Sequence, residues 1–267
     1  MSAIEEKRMY GDRREETVAY LATGQGVATV RVSGDQVGRF GLAHRCLARD
    51  VSASDGAVVV ATDDAVLVGP EAFDSLDFGP AVAVSADGDG VLAADESGQV
   101  SRYRDDEWVT VGSVGDVRAL SDGFVAAADG VFRVDGEELV DVGLDAVTDV
   151  ATDDGVPLAA TDDGLYRLGN GWLRERDGEF TAVAAGGDHA HAATADDLFA
   201  RDGDEWTRVD LPVDGPVVDV GYGECVYAVT ETGTFLVEAD PETTADGAGG
   251  WRSRALGLPD VAALAVA

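Results

Sequence analysis

Two histidines one residue apart, His189 and His191, together with Cys225 are the residue types from which zinc sites are built. On a strand the i, i+2 spacing puts both imidazoles on one face, and Cys225 falls in the matching column of the next repeat unit. A closed tetrahedral site needs four ligands, and the third histidine, His44, falls at the opposite end of its unit from His189. The expectation is that both rings pack between units, with no bound metal and no cofactor. Arg118, Asp149 and Asp219 interrupt innermost strands that are otherwise apolar or small. They are the candidates for ligand or acid–base chemistry in a central funnel. Six turn carboxylates, Asp63, Asp64, Asp162, Asp163, Asp196 and Asp197, are the candidates for a binding surface.

Other chemistries lack their residues. No GxSxG elbow is present, and the few Ser and His residues fall in unrelated units. Paired carboxylates, the signature of glycoside hydrolysis, carry no weight where 52 acidic residues face 19 basic ones and pairs occur everywhere. Nucleic-acid binding requires a basic stripe. Here Arg102, Arg133, Arg167 and Arg201 each end a third strand in a different unit, which makes them partners for turn carboxylates.

The elements that must position these residues follow from a repeat. In Ala160–Trp172, ATDDGLYRLGNGW, short apolar runs alternate with Asp/Gly turns, and with the run at Val147–Ala151 they make four strands. Anchored on Val150, the unit recurs at Val51, Val84, Val117, Val183, Val220 and Val261. A second column precedes the acidic turn (Thr62, Asp95, Ala128, Thr161, Thr194, Thr230). A third opens the fourth strand (Phe73, Trp108, Leu139, Trp172, Trp206, Trp251). Asp-Gly breakers every eight to ten residues leave no room for two helices per unit.

The chain ends decide between a stack and a ring. Val261–Val266 is a lone first strand, while Val18–Thr23, Val27–Val32 and Val37–Leu42 supply only a second, third and fourth. Open edges invite aggregation. Joined, the fragments complete a seventh sheet. The expected fold is all-β: a seven-bladed propeller of four-stranded antiparallel blades, closed by the C-terminal strand entering the N-terminal blade. Residues 1–17 read as a charged segment and 18–267 as the propeller domain. The insertion 238–250 lacks aromatics and reads as a disordered excursion.

A formal charge of −33, with Lys7 the single lysine, gives a surface that repels itself in dilute buffer and is screened at molar salt. No apolar leader or transmembrane-length window occurs, so a cytoplasmic monomer that binds neither membrane nor nucleic acid is expected. Cys46 and Cys225 stand far apart and read as separate thiols.

ATDDGLYRLGNGW, with AAADGVFRVDGEEL (126–139) and TADDLFARDGDEW (194–206), resembles the T-x-D-G-L-Y-R … W repeats of sialidase-like and photosystem-assembly-factor-like propellers. The acidic, lysine-poor chain resembles a haloarchaeal β-propeller family over residues 18–267. The resemblance implies the fold alone. The sialidase S/T-x-D-x-G-x-T-W box is missing, and no arginine triad maps onto this sequence. The expected role is that of a non-enzymatic scaffold or protein-interaction module with another protein as partner. The alternative is an enzyme or a small-ligand or cation binder that uses the top-face funnel.

Overall fold

The computed structural model describes residues 16–153, 155–187, 189–239 and 250–267. The described residues form seven four-stranded antiparallel sheets and contain no helix. We number the blades I–VII in chain order and call their strands inner, second, third and outer. The inner strands are Ala48–Ser54 (II), Ala83–Asp87 (III), Val117–Ser121 (IV), Val147–Asp153 (V), Ala182–Gly186 (VI) and Val217–Tyr222 (VII). In blade I the inner strand is Val261–Val266, followed outward by Thr17–Thr23, Gly26–Ser33 and Gln36–His44. The ring therefore closes as expected, with Leu21 opposite Leu264 and Ala19 opposite Val266. Residues 1–15 of the charged N-terminal segment and 240–249 of the insertion lie outside the described residues; Ala239 and Gly250, at its two ends, pair with each other.

Side-chain alternation explains the packing. Each apolar cluster straddles two neighbouring blades: Leu21, Val30 and Leu264 of blade I, for example, meet Tyr227, Val229 and Phe235 of blade VII. Sheets that each bury two faces against neighbours need no separate core. The tryptophan column fastens the periphery. Trp108 Nε1 donates to the Leu76 carbonyl (2.7 Å) and Trp172 Nε1 to the Val142 carbonyl (2.9 Å), each at the outer edge of the preceding blade.

The threonine column fastens the turns between second and third strands. Thr161 is fully buried; its hydroxyl donates to the Gly164 carbonyl (2.8 Å) and accepts the Gly164 N–H (3.0 Å). Thr62 does the same for Ala65 at 2.7 and 2.9 Å. These turns and the blade-to-blade connections share one face, the top: the Phe180 N–H reaches the Thr161 carbonyl (2.9 Å), and Leu256 reaches Gly233 (2.9 Å). Gly233 has φ +77°, and a Cβ there would lie 2.1 Å from the Leu258 carbonyl oxygen, so only glycine permits the approach.

The first column needs correction in two blades. Val117 pairs with Ala127 and Val261 with Thr23, as Val147 pairs with Thr161. The counterparts of Val150 are therefore Leu120, opposite Val125, and Leu264, opposite Leu21. The physical reason is a bulge. Five of the seven inner strands shift register near their start, between Ala48 and Asp50, Val117 and Ala119, Val147 and Asp149, Val217 and Asp219, and at 261–263. One unpaired residue makes a three-residue step behave as a two-residue step, so two apolar residues three apart share one face and sequence spacing alone slides between them.

Candidate functional site

The inner strands surround a central channel of about 550 Å³. Its walls are mostly valine, alanine and serine, with three carboxylates, Asp50, Asp149 and Asp219, at one equivalent position just after the bulge. Each accepts two backbone hydrogen bonds in the same pattern. One oxygen takes the N–H of the following residue: Val51 (2.8 Å), Val150 (2.8 Å) and Val220 (2.7 Å). The other takes an N–H from the inner strand of the next blade: Val84 (2.8 Å), Val183 (2.8 Å) and Leu264 (2.7 Å). The carboxylates thus clamp blade II to III, V to VI and VII to I. The remaining blades carry alanine there: Ala83, Ala119, Ala182 and Ala263.

The three side chains keep partial contact with the channel but sit deep within the protein body. Desolvation pushes Asp50 up to about 6 against the pull of its two N–H partners. Asp149 is pushed to about 7 by desolvation, with the charge of Asp50 adding to it. Asp219 is pushed to about 8 by desolvation, and the charges of Asp149 and Asp50 raise it further. Like charges facing one enclosed space resist full ionisation together.

Of the sequence candidates for the funnel, Asp149 and Asp219 belong to this set and Arg118 stands apart. Arg118 occupies the bulge of blade IV, is exposed, and donates to Asp116 (3.0 Å) and to the Val147 carbonyl (3.0 Å). Asp50 was missed because the first inner strand was read as starting at Val51. The signal is the dipeptide Asp-Val: Asp50-Val51, Asp149-Val150 and Asp219-Val220 place an acid immediately before the column valine.

The six turn carboxylates all lie on the top face but are not gathered together. Asp162 and Asp163 of blade V neighbour Asp196 and Asp197 of blade VI; Asp63 and Asp64 belong to blade II, across the ring. They also divide by role. Asp64 accepts from the Thr62 hydroxyl (2.8 Å), and Asp197 pairs with Arg208 (2.6 Å). Asp163 is held below the usual carboxylate range by hydrogen bonds from Thr161 and Tyr166, with Arg174 adding to both. Asp63, Asp162 and Asp196 are exposed, and their side chains make no hydrogen bond or ion pair among the described residues.

The histidines and Cys225 part company. His189 stacks on Tyr222 with ring centroids 6.0 Å apart, and His191 Nδ1 meets the Tyr222 hydroxyl at 3.0 Å, between blades VI and VII. Desolvation lowers His191 to about 4, so the ring is neutral at pH 7. Cys225 instead donates to the Gly34 carbonyl across the interface with blade I (3.6 Å), and His44 lies against Phe73. Among the described residues no three His, Cys, Asp or Glu side chains converge as metal ligands would. The strand-ending arginines are ion-paired, but not all to turns. Arg102 meets Asp87 (3.0 Å) and Arg133 meets Asp135 (3.4 Å), while Arg167 and Arg201 share Glu175 of the outer strand Trp172–Asp177 at 2.6 and 3.4 Å.

With this architecture in hand, sequence comparison places the chain: the profile of the HVO_0234-like beta propellers matches residues 3–267. The chain belongs to the HVO_0234-like beta-propeller family. That family assignment, with its haloarchaeal name, agrees with the resemblance carried by the acidic repeats. No curated protein matches the sequence. Among solved structures the chain resembles the extracellular domain of the putative hybrid two-component system BT3049 from B. thetaiotaomicron. The TM-score is 0.64 at 12% identity, over 85% of this chain and 39% of that one. It also resembles the computationally designed Ika8 protein (TM-score 0.63, 16% identity, 95% and 91% covered) and a chain of the nidogen/laminin complex (TM-score 0.60, 10% identity, 94% and 98% covered). At such identities the HVO_0234-like chain shares a fold with these proteins and no more.

Proposed function

We propose that this propeller is a non-enzymatic scaffold, monomeric and cytosolic, that holds another protein against its top face. One observation carries the reading: Asp63, Asp162 and Asp196 stand exposed on that face with no side-chain partner among the described residues, whereas every carboxylate of the channel clamp is occupied by backbone N–H groups. Leu47, exposed on the connection whose carbonyl receives the Asp63 N–H, adds apolar contact area beside the acid. Molar salt screens long-range attraction. The contact then rests on short-range hydrogen bonds and ion pairs from a basic surface, with such apolar area between them. A second reading, a channel that binds a small ligand or cation, draws on the volume and the three carboxylates facing it.

Capture of partners from a high-salt lysate separates the two. Asp63→Asn, Asp162→Asn and Asp196→Asn together should leave the melting temperature unchanged and lower capture. Asp105→Asn, Asp106→Asn, Asp202→Asn and Asp204→Asn on the bottom should not. Loss of capture with the bottom set, or turnover of a small substrate by the purified protein, would overturn the scaffold reading.

A further inference from the structure

The seam between blades III and IV and the seam between blades V and VI are built on one plan and filled differently. Across the third and outer strands Arg102 pairs with Val109 and Arg167 with Leu173, and both outer strands bulge two residues later, at Val111 and at Glu175. Val111 is thus the register equivalent of Glu175. In the seam of blades V and VI the Glu175 carboxylate takes Arg167 Nε (2.6 Å) and, with its other oxygen, the indole N–H of Trp206 in the next blade (2.8 Å). In the seam of blades III and IV the acid is replaced by Val111 and the tryptophan by Leu139. Leu139 packs instead on Gly112, where a Cβ would lie 2.8 Å from its Cδ1.

The substitutions leave a cleft of about 450 Å³ on the bottom face, with Arg102 in its lining. The Arg102 side chain is only 10% exposed, and a single nitrogen, Nη1, meets Asp87 (3.0 Å). Its Nε and Nη2 have no acceptor among the described residues, although together they form the donor edge that fits a carboxylate. Arg104, next along the same face, is taken by the carbonyl (3.3 Å) and the carboxylate (3.8 Å) of Asp89. The walls are Val109 and Val111 of blade III and Val134 of blade IV. Glu107 and Glu137 stand exposed beside the third-to-outer turns of the two blades, without ion pairs among the described residues. We propose that this cleft binds a small zwitterion whose carboxylate and ammonium stand at opposite ends of an aliphatic chain, the class of ω-amino acids. The carboxylate takes on Arg102 the place that Glu175 takes on Arg167, the chain lies against the valines, and the ammonium reaches Glu107 and Glu137. The exposed acids disfavour a simple anion, and the buried guanidinium disfavours a simple cation. A neutral zwitterion also adds nothing to a formal charge of −33. Enclosure of Arg102 keeps its pairing effective in molar salt. The site lies on the face opposite the proposed partner surface and does not depend on it.

Isothermal titration of the full-length protein in molar KCl with ε-aminocaproate, caproate and hexylammonium tests the site. ε-Aminocaproate should bind saturably, and each single-ended compound should bind at least about tenfold more weakly, the loss of one charge-assisted pairing. Val111→Glu supplies from within the chain the carboxylate that the equivalent position carries in blade V. It should abolish binding, because the new side chain occupies Arg102. Glu107→Gln combined with Glu137→Gln, both at exposed positions, should weaken ε-aminocaproate about tenfold and leave caproate no weaker. Absence of saturable ε-aminocaproate binding, caproate bound as tightly as ε-aminocaproate, or wild-type affinity in either variant overturns the proposal. Should Val111→Glu fail to fold, the three compounds and the paired Gln variant decide.

Discussion

Asp149 and Asp162 lie thirteen positions apart in one blade, and they illustrate two regimes for one side chain. Asp149 is enclosed by inner strands and spends both oxygens on backbone N–H groups, one of them in the next blade. Asp162 sits in an exposed turn with its side chain directed at solvent. Burial multiplies the cost of an unmatched donor or acceptor, whereas water satisfies either at the surface. In a chain with 52 acidic residues, position on the blade therefore separates the structural acids from the solvating ones.

The largest effect on that contrast should come from removing residues 260–267. The deletion strips blade I of its inner strand, leaves Asp219 without Leu264, and exposes the edge of Thr17–Thr23. Calorimetry should show no cooperative transition near that of the parent, or light scattering should show aggregation. A deletion variant that melts like the parent would remove closure from the account. A smaller, local effect is expected from Asp149→Asn, whose amide NH₂ must face one of two backbone donors. Thermal unfolding in molar KCl should report a loss of about 1–3 kcal/mol, against about 0.5 kcal/mol or less for Asp162→Asn. Equal losses at the two sites would erase the distinction. The smallest effect concerns salt. The −33 formal charge should make the melting temperature rise with KCl as repulsion is screened. Asp162→Asn should lower that slope slightly, and Asp149→Asn should leave it unchanged, because the screening ions act on the surface.

Much of this was legible in the residues. The Thr and Trp columns mark real fasteners, Thr161 closing its turn and Trp172 gripping the Val142 carbonyl of the blade before it. The lone strand Val261–Val266 announced the closure because an unpaired edge at each end has one economical remedy. The candidate site was legible only in part. Asp149 and Asp219 stood out as charges in apolar runs; Asp50 hid at a strand boundary, and Arg118 was grouped with them although it is exposed and bonded to Asp116 and the Val147 carbonyl.

The sequence by itself determined the blade number, the strand order, the ring closure and the acidic surface, since each follows from local periodicity, turn chemistry or composition. Tertiary structure alone decided which acids matter structurally. A bulge shifts Val117 and Val261 by three positions, and a neighbouring blade supplies the N–H of Val84, Val183 or Leu264 that makes an aspartate a clamp. Those partners lie 34 or 45 residues away, and which inner strand abuts which is set only when the ring closes. No local pattern in the chain encodes the desolvation that follows.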